Sequence, residues 1–429
     1  MARTRPRLVA RTALSRLGEG MTLRFETPLL IPGRGDPIRD GVVVTDDAVI
    51  SYAGPAITAP PTPEATVVRA PAVMPGMWEC HGHFLGVRTL DLAHVPLEPV
   101  ALRAARATAD LRTALHAGIT SVREVGGLGV YLMRAVAEGL VPGPHLYPAG
   151  SILSTTGGHG DLHSYPLSWV HDFTAHGGEL RLADGPAECA RAVREQLRRN
   201  AKVIKVCASG GVLSEVDHPI HQQFTAAELA AMVEVAGMAD RVVAAHCHGK
   251  PGIMAALAAG VRTIEHGTYL DEEAAAAMRE GGAILVATRT IVTEILESKA
   301  APAYAMAKLE ALADQHAAAV ALAREAGVTM AMGTDLAMSG TDLPVSWGRN
   351  GRELALLAEC GFTPLEAIEA ATANAPATLG PQAPRSGQLQ PGYDADLLTL
   401  DADPVADIEV LADPARVTGV WKAGVRVKG

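Results

Sequence analysis

Two imidazoles stand two residues apart in Glu79-Cys80-His81-Gly82-His83. On an extended strand, positions i and i+2 share a face, so His81 and His83 can both reach one metal ion. Alone this spacing is weak evidence, because a single buried histidine is more often a satisfied core residue. Four further segments repeat the theme. Lys205 lies between apolar residues in Val203-Ile204-Lys205-Val206-Cys207, and His246 and His248 share a face in Ala244-Ala245-His246-Cys247-His248. His266 follows Glu265 in Thr263-Ile264-Glu265-His266-Gly267, and Asp335 closes Met332-Gly333-Thr334-Asp335. An ammonium buried at Lys205 must lose its proton or find a partner. Imidazoles and a carboxylate are together a donor set for divalent metals and metal-assisted hydrolysis.

These residues need elements that bring them to one place. From Gly118 to Asp335 short β-branched or apolar runs alternate with stretches rich in Ala, Leu, Glu and Arg. Buried parallel strands read as such continuous apolar runs because both faces are covered. Strands are predicted over 72–83, 119–125, 145–153, 203–207, 242–248, 262–266, 283–288 and 328–335, with helices over 100–116, 187–199, 226–238 and 303–325. Glycines at 118, 260 and 327 stand where helices should end before the next strand. Eight strand-then-helix units read as a (β/α)8 TIM barrel spanning residues 72–379. All the polar groups above then fall at the carboxyl ends of strands 1, 4, 5, 6 and 8, where barrel active sites lie. A doubly wound open sheet is the alternative, but no GxGxxG fingerprint follows the first strand. Residues 21–71 and 380–429 alternate short apolar runs with turns and predict a small β-sandwich domain built from both chain ends.

Composition narrows the class. The chain has 429 residues, 48% hydrophobic and 20% charged, with a net charge of -10. It is globular in composition, and no apolar run approaches the roughly 20 residues of a membrane span. The acidic balance with scattered basic residues argues against nucleic acid as a partner. Five widely spaced cysteines without a CxxC pair do not form a disulfide framework, and a reducing cytoplasmic location is expected. Residues 1–20 carry Arg3, Arg5, Arg7, Arg11 and Arg16 against Glu19. They lack the apolar core of a secretory signal and are expected to be a disordered basic extension.

The segments that carry these residues resemble the amidohydrolase superfamily over almost the whole chain. The resemblance begins with Pro75-Gly76-Met77 leading into His81-Gly82-His83, runs through Lys205, His246, His266 and Asp335, and ends in Pro391-Gly392-Tyr393-Asp394-Ala395-Asp396-Leu397. It implies a binuclear site for two divalent ions, Zn2+ or another borderline metal. His81, His83 and Asp335 would hold one ion and His246 and His266 the other, with a CO2-derived carboxylate on Lys205 bridging them. That modification would also turn a buried cation into an anionic ligand. Thr156-Gly157-Gly158-His159-Gly160-Asp161 and Ala208-Ser209-Gly210-Gly211-Val212-Leu213-Ser214 resemble a narrower branch of prolidase-like dipeptidases and imidazolonepropionase-like enzymes. There the loop matching His159 orients the substrate, and His248 is a second candidate for that role.

The resemblance implies hydrolysis of the amide bond of a dipeptide or N-acyl amino acid. Metal-activated hydroxide attacks the carbonyl, and Asp335 passes the proton to the leaving amine. The rival readings are hydrolysis of a cyclic amide or imidazolone, against which Lys205 counts, and a non-catalytic relative. A homo-oligomer is expected from the resemblance only. Two departures bear on the substrate: Phe224 stands where several relatives have Tyr, and Trp347-Gly348 where some have His-Gly. Each aromatic either walls the pocket or packs the core. Arg123 either receives a substrate carboxylate or forms a buried ion pair, with the ion pair favoured.

Overall fold

A computed structural model describes residues 21–429. The basic extension expected over residues 1–20 lies outside the described residues.

Continuous apolar runs give parallel strands in two sheets. The seven-stranded sheet has the order Leu180–Leu182, Ile152–Ser154, Ile204–Cys207, Val243–Cys247, Thr263–His266, Ile284–Val286 and Thr329–Met330. A four-stranded sheet has the order Leu336–Met338, Met77–Val87, Ile119–Glu124 and His145–Leu146. Backbone hydrogen bonds bridge the two sheets on both sides. On one side the Cys80 amide donates at 2.9 Å to the carbonyl of Met332, which follows Thr329–Met330. On the other, the Lys202 amide donates to the Pro148 carbonyl at 2.7 Å.

The helices form where propensity and capping agree. Val100–His116, Pro186–Arg198, Ala226–Gly237 and Ala303–Glu325 match the predicted spans to within a residue at either end. Thr225 and Glu228 close a reciprocal capping box at the start of Ala226–Gly237, which satisfies amides that would otherwise lack acceptors. Gly118, Gly260 and Gly327 take φ of +96°, +87° and +74° after their helices, a conformation a side chain would strain.

Two predicted strands are each divided. The strand expected over 72–83 becomes Ala72–Pro75 and Met77–Val87, which belong to different sheets. Pro75 has no amide to continue a ladder, and the Gly76 amide turns to the Asp396 carbonyl at 2.9 Å. The strand expected over 145–153 becomes His145–Leu146 in one sheet and Ile152–Ser154 in the other. Pro148 and Gly150, the latter at φ +80°, break the run between them.

Both ends of the described chain meet in one eight-stranded mixed sheet. Thr22–Leu30 pairs antiparallel with Ile38–Asp46 and parallel with Thr66–Arg69 and Ala72–Pro75. Ala72–Pro75 in turn pairs antiparallel with Leu397–Leu400. Phe25 and Trp421 meet edge-to-face at 4.9 Å in its buried cluster. Among the described residues, no helix is long and apolar enough to cross a membrane.

Candidate metal centre and active site

The metal-ligand candidates are carried by parallel strands or, for Asp335, by the link between two of them, because the strand expected over 328–335 forms only at Thr329–Met330. His81 and His83 come from Met77–Val87, Lys205 from Ile204–Cys207, His246 from Val243–Cys247 and His266 from Thr263–His266, while Asp335 precedes Leu336–Met338. His81, His83, Lys205, His246, His266, Asp335 and His159 line one cavity. Asp335 Oδ1 lies 3.0 Å from His83 Nε2 and 3.5 Å from His81 Nε2, and Lys205 Nζ lies 3.3 Å from His81 Nε2. The His246 ring lies 4.6 Å from His266 and 4.7 Å from His248, centroid to centroid.

The groups behind these rings settle which nitrogen is free. Nδ1 of His81 bonds Glu265 Oε2, Nδ1 of His83 the Gly126 carbonyl, and Nδ1 of His266 the Thr288 hydroxyl, each at 2.7 Å. Each bond leaves Nε2 for the cavity, the usual arrangement behind metal-binding histidines. His246 is the converse, with Nε2 at 3.1 Å from the Gly210 carbonyl and Nδ1 left over.

His266 and Asp335 hold φ of +70° and +62°, and Thr288 holds +57°. Such conformations are strained for residues with a Cβ and concentrate at functional sites.

Burial sets the protonation states. It pushes the His81 imidazole down to about 4, helped by the charge of Lys205, and pushes His246 and His266 well below their ordinary value. Burial would raise Asp335, but His81 and His83 hold its carboxyl down at about 2. Lys205 is also pushed down by burial, against the attraction of Glu265 and Asp335. Neutral imidazoles beside an ionised carboxylate are the protonation states metal ligands require. The donors fit divalent metal ions by chemistry and by placement. Ligand atoms of His81, His266 and Asp335 lie within 4.8 Å of one another, as do those of His246, His248 and His266. His248 thus stands among the ligand-type groups, with its Nδ1 on the Thr268 hydroxyl at 2.7 Å.

His159 stacks on His246 with ring centroids 4.3 Å apart, and its Nδ1 meets the Ser214 hydroxyl at 2.7 Å. The close approach belongs to the other glycine-rich loop: a Cβ on Gly211 would stand 2.2 Å from the His159 ring. Arg123 forms the ion pair, fully buried, with Nη2 2.8 Å and 2.7 Å from the two oxygens of Glu265. Phe224 is fully buried in the main hydrophobic core. Trp347 stacks on Phe84 at 4.0 Å and donates to the His83 carbonyl at 3.2 Å, so it supports the ligand strand from behind.

Two carboxylates at the centre escape sequence reasoning. Glu265 orients His81 and neutralises Arg123; burial would raise its carboxyl, but Arg123 and His81 hold it well below the carboxylate range. Glu79 accepts from the His81 amide at 2.8 Å, the Thr334 amide at 3.0 Å and Asn350 Nδ2 at 2.8 Å. Buried opposite charges on strands are the available signal for Arg123 and Glu265. Their partnership crosses between the two parallel sheets, which spacing cannot express.

Fold and site define a hydrolase class whose chemistry is built at strand ends from histidine, aspartate and lysine. Residues 72–427 match the amidohydrolase family, and the chain belongs to it. It is 43% identical over 424 residues to ochratoxinase from Aspergillus niger, covering 94% of this chain and 85% of that protein. The crystal structure of A. niger ochratoxinase superposes with a TM-score of 0.89 at 41% identity over 96% of each chain. A prolidase complexed with N-methylphosphonate-L-proline gives 0.85 at 33% identity, over 95% of this chain and 100% of that one. Imidazolonepropionase from Nocardia farcinica is 27% identical over 96% of this chain and 97% of its own length. The chain is a hydrolase that acts on amide bonds.

Proposed function

We propose that the protein is a binuclear metal-dependent amidohydrolase that cleaves a dipeptide or N-acyl amino acid. The observation that carries this reading is the convergence of six ligand-type side chains on one cavity, each imidazole held by a bond to its other nitrogen. The bridged parallel sheets support a single (β/α)8 barrel over residues 72–379, with residues 21–71 and 380–429 as the accessory domain. Five free cysteines suit a reducing compartment such as the cytoplasm.

In this reading His81, His83 and Asp335 hold one ion, and His246 and His266 hold the other. Lys205 would carry a CO2-derived carboxylate as a further ligand; burial favours its neutral amine, the form that adds to CO2 with release of a proton. Divalent ions such as Zn2+, when bound, supply Lewis-acid polarisation of the carbonyl and lower the pKa of water. Asp335 accepts the proton of the attacking water and delivers it to the leaving nitrogen. His159 and His248 orient the substrate. The names of the ochratoxinase and prolidase relatives support amide substrates of this kind, and the apolar wall of Leu85, Leu92, Val95, Ile152 and Leu213 suits a bulky apolar group.

Elemental analysis combined with a purified-enzyme screen of Xaa-Pro, Xaa-aromatic and N-acyl amino acid substrates tests the proposal. About two metals per chain and turnover of linear amides are expected. The imidazolonepropionase relative favours a second reading, a cyclic amide or imidazolone substrate. One metal per chain with turnover confined to lactams or imidazolones would establish that reading instead.

A further inference from the structure

We propose that Glu179 is a specificity-determining residue that receives a hydrogen-bond donor, an ammonium or a hydroxyl, on the acyl side of the scissile amide. This rests on the amide-hydrolase reading above. Glu179 directly precedes the Leu180–Leu182 strand, and its carbonyl accepts from the Ile152 amide at 2.8 Å. Ile152 is in register with Lys205 on its other side. Glu179 therefore sits two strand spacings from Lys205, roughly 10 Å of backbone separation. That distance suits a group a few bonds away from the reacting carbonyl.

The Glu179 residue is only 5% exposed, yet it lines the same cavity as His81, Lys205 and Asp335. Its Oε1 accepts from Arg103 Nη2, and Arg103 is itself fixed by donating from Nε to the Leu85 carbonyl at 2.8 Å. Its Oε2 is buried and has no hydrogen-bond partner among the described residues. The neighbouring cavity wall of Leu85, Leu92, Val95, Ile152 and Leu180 offers it no donor. A buried carboxylate oxygen without a donor is destabilising, and a donor arriving with the substrate removes that penalty. Arg103 prevents the side chain from turning away to satisfy itself elsewhere. A leaving amino acid carries a carboxylate, which Glu179 would repel, so the donor belongs on the acyl side.

Three substrates that differ at one carbon test this: alanyl-, lactoyl- and propionyl-phenylalanine, bearing an ammonium, a hydroxyl and a hydrogen. In the wild type, kcat/KM for one or both donor-bearing compounds should exceed that for the propionyl compound by at least about tenfold. The arm that is favoured identifies the source of the donor. Glu179→Gln keeps a carbonyl for Arg103 and puts an NH2 group in place of Oε2. It should abolish the preference, bringing the donor-bearing compounds down to the rate of the propionyl compound. Equal rates in the wild type, or an equal loss on all three compounds in E179Q, would overturn the proposal. If E179Q melts abnormally, Glu179→Asp keeps the charge and withdraws the acceptor by one methylene. A preference unchanged in E179D overturns the assignment. Melting-temperature shifts with the three compounds rank their binding without turnover. Equal shifts refute the role of Glu179, whereas unequal shifts without hydrolysis of any compound refute only the amide reading.

Discussion

His81 and His266 approach the same cavity from different sheets, with groups of different charge behind them. Behind His81 stands Glu265, itself held by Arg123, while Glu79 accepts from both the His81 amide and the Thr334 amide. Behind His266 and His248 stand only the hydroxyls of Thr288 and Thr268, and behind His246 the Gly210 carbonyl. A carboxylate partner raises the basicity of an imidazole as well as directing it, whereas a hydroxyl mainly directs. In the proposed two-ion site, the half containing His81, backed by a carboxylate, would therefore bind its metal more tightly than the half containing His246 and His266.

The most severe test of the proposed division of labour is Asp335→Asn. Turnover should fall about a thousandfold while metal content stays nearly intact, because the amide oxygen can still ligate but cannot carry the proton. Retained activity would remove Asp335 from the proton path. Glu265→Gln attacks the carboxylate-backed half directly. Metal retention after dialysis against a chelator should weaken by about 10- to 100-fold. Stability should also drop by about 3 kcal/mol, because the fully buried Arg123 loses its charge partner.

A smaller effect is expected at the periphery of the same half, where Asp110 joins the Val100–His116 helix to the Ser339 hydroxyl. Burial raises the Asp110 carboxyl to about 6 in the folded protein, above its value of about 4 in an unfolded chain. Its contribution to stability is therefore full below about pH 4 and lost as pH rises through 6. Asp110→Asn should gain about 2 kcal/mol over the wild type at pH 7.5 and nothing near pH 4, read from urea midpoints at each pH. A parallel pH dependence in both proteins would refute the linkage. The mildest change is Thr288→Val in the hydroxyl-backed half. Metal affinity should fall by only about threefold, as for a neutral hydrogen bond. A loss as large as that of Glu265→Gln would erase the contrast between the halves.

Much of this site is legible in the amino-acid sequence. The segments carrying His81, His83, Lys205, His246, His266 and Asp335 announce themselves because polar residues interrupt apolar runs that must be buried. Helix ends are legible for a similar reason: Gly118, Gly260 and Gly327 mark them chemically. Interruptions inside strands are harder, since Pro75-Gly76 and Pro148 look like local punctuation although each sends the chain into a different sheet. Trp347 cannot be assigned from its type, because a large aromatic suits a pocket wall and the space behind a ligand strand equally. Glu179 leaves no trace at all. It lies in an irregular stretch between Leu167–Ala175 and Leu180–Leu182, where no periodicity reports which way a side chain points.

The terminal sheet has a consequence for the order in which the protein is made. Ala72–Pro75, which runs directly into the strand bearing His81 and His83, lies between Thr22–Leu30 and Leu397–Leu400. Synthesis proceeds from the amino end, so one side of that strand is covered early and the other waits for almost the entire chain to emerge. Its open edge is a template for wrong pairing throughout that interval. The growing polypeptide therefore passes most of its time on the ribosome with an unsealed seam directly beneath its future catalytic strand.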